Sequence, residues 1–418
     1  MRIFCMIPVA SMPMAAMLTL WISYGAAQNT SPTLTTIYRF NPSGDGGQPG
    51  YVVFGDDGVL YGSTSYGGTA SINGGTVYSL IPPASPGGHW TESLLYSFTG
   101  GSDGAVPGSV TIGADGVLYG ATYQGGNSSC MYDSGCGTVY SLTPPASPGG
   151  TWTETVLYRF TGGSDGAHPA YGLFLGSGGV LYGVTISETY VTAVFALSPP
   201  PSPGGTWSFQ TLYQFPVNWF PLGGVIGGPG EVIYGVVNPV SHASADMILY
   251  SLTPPPTGDA WTYTTVCTNF PAQGKVAIGN EGGIYAVSRF GGAGHNGMVF
   301  RAAPPASPGG SCGQTVLHSF PPLSTGGGPP TDGIAIGPGG VLYGAIGQYR
   351  PNSGALYAVL PPASGGGAWS YKTLHTFGTP ASDGQDPTDA PVIRNGILYG
   401  ATLYGGKDNL GTVYSLIP

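Results

Sequence analysis

Apolar and polar positions along this chain alternate in short blocks. Runs rich in Val, Leu, Tyr and Phe are separated by stretches of Gly, Pro, Ser and Asp. Short apolar runs bounded by turn residues predict β-strands, and long helices are not expected. One run ends in an aromatic and recurs seven times, at Tyr61, Tyr119, Tyr182, Tyr234, Tyr285, Tyr343 and Tyr399, with spacings between 51 and 63 residues. A period of that length with several strands per copy predicts radial repetition of one unit.

The second copy shows the unit. Residues 109–112 form a strand, 113–116 turn it back through Asp-Gly, and 117–122 form a second strand. After a Gly-rich loop, 137–142 make a third strand, 144–150 a Pro- and Gly-rich loop that cannot continue a ladder, and 152–160 a fourth. Third strands recur at Tyr78, Tyr140, Phe195, Tyr250, Phe300, Tyr357 and Tyr414; fourth strands end at Phe40, Phe98, Phe160, Phe215, Phe270, Phe320 and Phe377. Past residue 27 the chain opens on a lone fourth strand, 36–40, and stops after a lone third, 411–416.

Joining those two ends supplies the hydrogen bonds that close a ring. The expected fold is therefore all-β: a seven-bladed β-propeller with four antiparallel strands per blade, its last blade completed by the N-terminal strand, as a single domain over residues 28–418. A β-solenoid, the competing architecture, favours rungs of about 20 to 30 residues and no strand left over. Burial of each blade between two neighbours explains runs such as Val-Leu-Tyr in place of strict alternation, and the Gly after each Tyr is expected to permit close backbone approach. Trp90, Trp152, Trp207, Trp261 and Trp369 share one position at the start of the fourth strand, where Cys312 stands once. Five equivalent tryptophans read as packing anchors.

Composition agrees: 75 Gly and 40 Pro in 418 residues, 12% aromatic and only 7% charged, a bias that is periodic here and so marks turns instead of disorder. Residues 1–27 differ, with the single charge of Arg2, an apolar stretch and a Gly-Ala-Ala end. They read as a secretory signal peptide cut after Ala27, with a retained N-terminal anchor as the competing reading. Cleavage takes Lys+Arg from 10 to 9 against 19 Asp+Glu, a formal charge of −10. An acidic, Lys-poor chain argues against nucleic acid or an anionic membrane as partner. No membrane span is expected after cleavage, and a monomer is expected.

Four cysteines remain. Cys130 and Cys136 flank a short loop, and export makes a disulfide between them the expected state. Cys267 and Cys312 fall in equivalent segments of successive repeats, with their pairing left open. No paired CxxC spacing supports zinc, and neither metal nor cofactor is expected.

The pattern LYG(A/S)T..GG....GTVYSL.P, then WTETVLY.F, then TGGSDG..P, clearest in 60–80, 98–107, 118–142, 160–169 and 398–416, resembles the GloVer-type tandem repeat of secreted bacterial proteins with varied surface anchors. The resemblance covers nearly all of the chain after residue 27. It implies export more than an activity, and ending at Pro418 without a sorting segment favours release over surface attachment.

Loops from strand four to strand one and from strand two to strand three emerge on one face, where ligands are expected. Asp45, Asp103, Asp165 and Asp383 recur there before Gly; turn chemistry accounts for them better than calcium or catalysis, since each loop offers only one or two carboxylates. There is no GxSxG elbow, HExxH or phosphate-binding loop. The repeat fails on blades four to six, at Trp219, Phe220, His242, Arg289, His295, Tyr349 and Arg350. Aromatics with Arg and His on one rim suit a sugar or other polar polymer, with drift in degenerate repeats as the competing explanation. Tyr66, Phe290 and Tyr404 share a repeat position, for which a structural role is expected. The expected function is a secreted, non-catalytic binding protein whose partner is an extracellular polysaccharide or cell-surface component; the alternative is a carbohydrate-active enzyme, a glycoside hydrolase or polysaccharide lyase, with its site on the loop face.

Overall fold

A computed structural model describes residues 31–418 apart from 70–72, 86, 127–129, 131–133, 148, 187–190, 203, 240–246, 259, 323–327, 348–353, 364–365 and 379. The unit from Pro32 to Pro418 contains seven antiparallel sheets, so the expected propeller is what the chain forms. Blade one runs from Gly47–Pro49 to Thr91–Ser97, blade two from Ala105–Pro107 to Thr153–Arg159, and blade three from Pro169–Leu175 to Ser208–Gln214. Blade four spans Trp219–Pro221 to Thr262–Cys267, blade five Ala277–Ile278 to Gly313–Ser319, and blade six Ala335–Ile336 to Ser370–Thr376.

Blade seven closes the ring. Its inner three positions come from Gln385–Pro387 with Val392–Arg394, Ile397–Tyr404 and Thr412–Ile417, and its outer strand is Thr33–Arg39, paired from Thr33↔Ile417 to Arg39↔Thr412. A shift of register interrupts the third-to-fourth ladder once in every blade, a bulge that adds twist where the sheet widens outward. Inner strands are shorter than the sequence predicts. In blade two the expected 109–112 strand shortens to Thr111–Ile112, and a separate piece, Ala105–Pro107, pairs with the same second strand.

Apolar burial lies between blades. Seven clusters each join two neighbours; one unites Tyr61, Val77 and Phe98 of blade one with Leu118 and Tyr140 of blade two, and another unites Phe40 and Val413 of blade seven with Leu60 and Tyr78 of blade one. Each blade therefore has both faces covered, which is why its second and third strands are buried along most of their length. The tryptophans act as expected: Trp152 packs edge-on against Tyr61, Trp207 against Tyr119, Trp261 against Tyr182, Trp369 nearer a tilt against Tyr285, and Trp90 against Tyr399, always reaching back one blade.

Hydrogen bonds reinforce the same joints. Gln48, Val106 and His168, each before the Pro of an inner strand, hold φ near +55° and donate their N–H to Leu410, Gly74 and Cys136 of the preceding blade, each at 2.8 Å. That left-handed conformation is costly for a β-branched residue such as Val106 and persists because the inter-blade bond fixes it. Cys130 pairs with Cys136, as expected, and Cys267 pairs with Cys312, joining the outer strands of blades four and five. Among the described residues no helix is long and apolar enough to cross a membrane.

Candidate functional site

On the loop face, the recurrent aspartates are structural. Asp103 accepts the Tyr96 hydroxyl at 3.1 Å, the Thr99 N–H at 2.8 Å and the Thr99 hydroxyl at 2.5 Å. Asp165 repeats this with Tyr158 and Thr161, Asp45 with Tyr38 and Asn41, and Asp383 with His375 and the Gly378 N–H. Each carboxylate is spent inside its own loop, and the described residues contain no group of three or more acids, Cys or His arranged to hold a metal ion.

Where the Asp pattern lapses, a cleft of about 520 Å³ opens over blades five to seven. Arg289, Phe290, His295 and Asn296 come from the loop between strands two and three of blade five, Thr331 from the approach to blade six, and Asp386 from the inner strand of blade seven. Phe290 is 50% exposed, so the expected structural role gives way to a ring displayed on the cleft wall; Tyr66, at the same repeat position, is 53% exposed. Asn296 is held by its amide donating to the Pro321 carbonyl at 2.8 Å. Arg289 reaches Asp332 at 3.3 Å.

That ion pair marks the entrance to a second space. A channel of about 280 Å³ runs down the axis, lined by Tyr51, Ser109, Tyr171, Lys275, Asp332 and Asp389, and shares Thr388 and Leu403 with the cleft above. Tyr51, Ser109, Tyr171, Gly223, Asp332 and Asp389 occupy one position just inside the inner strand of their blades; blade five has Gly274 there and Lys275 one residue further on. Charge thus gathers beneath the cleft. Burial pushes the Asp389 carboxyl up to about 7 against the pull of Lys275, and lowers Lys275 from the usual lysine range against the pull of Asp389. Asp332 is raised by burial, opposed by Arg289. The Tyr51 hydroxyl is pushed up to about 12 by burial and by Asp389.

Of the residues the sequence singles out, Arg289 and His295 meet in this cleft. Trp219 and Phe220 do not line it; they form the inner strand Trp219–Pro221 of blade four, with Trp219 stacked on Phe215 at 6.3 Å. His242, Tyr349 and Arg350 lie outside the described residues. Loop reading misses Lys275, Asp332 and Asp389. The repeats carry part of their signal: Asp332 and Asp389 each follow Pro-Thr where Tyr51 and Ser109 follow Pro-Gly, so a neutral position turns acidic, while Lys275 stands one residue further on.

The model of the Gloeobacter/Verrucomicrobia repeat matches residues 24–249, more than half of the chain, which therefore belongs to that repeat family. No curated protein sequence matches it. Among solved structures, it is similar to a polysaccharide lyase of family PL25, an ulvan lyase, at 9% identity and TM-score 0.51, covering 89% of this chain and 94% of that one. It is also similar to a fungal alcohol oxidase of the AA5 family in complex with copper, at 10% identity and TM-score 0.50, covering 92% of this chain and 75% of that one. At such identities the likeness is one of fold.

Proposed function

We propose that this member of the Gloeobacter/Verrucomicrobia repeat family is an exported binding protein that holds a carbohydrate in the cleft over blades five to seven. The carrying observation is the pairing of a half-exposed ring, Phe290, with Arg289, His295, Asn296 and Asp386 around one concave space. A sugar offers an apolar C–H face to such a ring and hydroxyls to groups that both donate and accept, and the cleft has the volume of an ordinary small-ligand site. Export is supported by the Cys130–Cys136 and Cys267–Cys312 disulfides, which persist in oxidising compartments, and by the signal-like residues 1–27. Released protein acts as a monomer in this reading.

Binding to a glycan array tests it. The native protein retains a subset of glycans, and Phe290→Ala or Arg289→Ala loses them while keeping the melting temperature; retention of the same glycans by both variants removes the cleft from the account. A second reading, a glycoside hydrolase or polysaccharide lyase, draws on the gathering of Asp332, Asp386 and Asp389 in the cleft and channel, since such chemistry needs paired titratable groups. New chain ends on a bound glycan after incubation would select it.

A further inference from the structure

Among the described residues Lys275 is the one cation lining the axial channel, and its setting is incomplete. Its stem passes over Gly224, where a Cβ would stand 3.1 Å from Cε and 2.9 Å from the Tyr171 carbonyl oxygen, so the glycine gives the side chain room on this path. The ammonium lies 5.8 Å from the centre of the Tyr51 ring. No carboxylate among the described residues comes within ion-pairing distance of it, and it makes no hydrogen bond to any of them. Protein surrounds it closely enough to weaken its charged form. A half-buried cation without a protein acceptor is costly, and the space it lines adjoins the cleft at Thr388 and Leu403.

We propose that the axial channel is an anion subsite, in which the Lys275 ammonium receives a carboxylate or sulfate group carried by the carbohydrate in the cleft above. This rests on the cleft being the carbohydrate site. Three features fit an anion there. The aromatic wall of Tyr51 favours the cation without neutralising it. Arg289 stands at the entrance with its own carboxylate partner, Asp332, and so leaves Lys275 as the open acceptor of charge. Asp389, a potential repeller in the same lining, is poised near 7 by burial and accommodates an arriving anion by taking up a proton.

The groups that act on Asp389 are Lys275 of blade five, Asp332 of blade six, Tyr51 of blade one and Tyr414 of its own blade. Asp389 changes charge through about 7, and burial lowers Lys275 from the usual lysine range. Both changes weaken anion binding as pH rises: Asp389 becomes negative through about 7, and Lys275 becomes neutral below its usual range. Affinity for an acidic ligand is therefore highest on the acid side of that window.

An array of matched pairs tests the proposal, each uronate beside its methyl ester and each sulfated oligosaccharide beside its desulfated form. The native protein at pH 6 retains the acidic member of a pair, with affinity about tenfold or more above the neutral one, the worth of a charge-assisted hydrogen bond. Uronate and sulfate pairs show which anion is read. By calorimetry with the best pair, the preference shrinks at pH 8, disappears in Lys275→Met, and persists at both pH values in Asp389→Asn, which mimics the protonated carboxyl. Equal retention within every pair, or a preference that survives Lys275→Met, overturns the subsite and leaves the cleft standing; retention of no glycan at all overturns both. If Lys275→Met does not fold, the acid-against-ester comparison on the native protein decides.

Discussion

Ala286 faces Phe300 across the second and third strands of blade five, at the register position where five other blades pair a glycine with a tyrosine. In blade two a Cβ built on Gly120 would stand 2.3 Å from the Tyr140 hydroxyl. The glycine of the repeat is thus required by a ring lying on it, and not by a neighbouring backbone. Blade five carries a Cβ opposite Phe300, whereas blade three keeps Gly183 opposite Phe195. Gly120→Ala is expected to cost about 1 to 3 kcal/mol through overpacking. Adding Tyr140→Phe should recover only part of that loss in urea unfolding, because the ring carbon Cζ would still stand 2.5 Å from the new Cβ, the same approach that Phe195 makes to Gly183 in blade three.

The loop carboxylates make a second, opposite prediction. Asp103 is buried and accepts three hydrogen bonds within its loop. Asp103→Ala should lower stability by about 2 to 4 kcal/mol through the donors left unpaired. Added calcium or a chelator should leave the melting temperature of the native protein unchanged, since these oxygens are already occupied.

His318 stands where Tyr38, Tyr96, Tyr158 and Tyr213 stand in other blades. Its ring stacks on Tyr371 at 3.9 Å, and its Nε2 is buried without a partner. Burial lowers its pKa below the ordinary 6.5. The unfolded chain then takes up a proton that the folded chain resists, so the stability tied to the neutral ring is full above 6.5 and is lost as pH falls through the depressed folded value. Melting curves of native protein and His318→Tyr should diverge as pH is lowered below that point, with the variant the less sensitive.

The two disulfides differ in reach. Cys267 and Cys312 are 45 residues apart in sequence and Cys130 and Cys136 only 6. Chain entropy assigns the longer link about 4 kcal/mol and the shorter about 2 kcal/mol. Replacing the first pair by serine should therefore lower the melting temperature more than replacing the second, and a reductant should reproduce the larger shift.

Much of the fold was legible because closure is written in phase. A fourth strand before residue 40 and a third strand after residue 411 can only complete one blade, and the Tyr–Trp contacts that bind neighbouring blades recur at fixed repeat positions. The Cys267–Cys312 link was not legible, since one partner ends an outer strand and the other replaces a tryptophan at the start of the next. The site was legible by half. Arg289 and His295 break the repeat in a loop and so attract notice, whereas Lys275, Asp332 and Asp389 sit beside inner strands only two or three residues long, too short for periodicity to show which side chains meet at the axis. Phe290 looked structural because it repeats; its exposure is a property of the loop face that no pattern carries.

Crystallography of the protein with its best-bound array oligosaccharide tests the central claim most directly. The account predicts a sugar ring on the Phe290 face within hydrogen-bonding distance of Arg289, with its acidic group directed down the axis toward Lys275. A ligand seated against the outer-strand tryptophans, or at the opposite mouth of the ring, would contradict it.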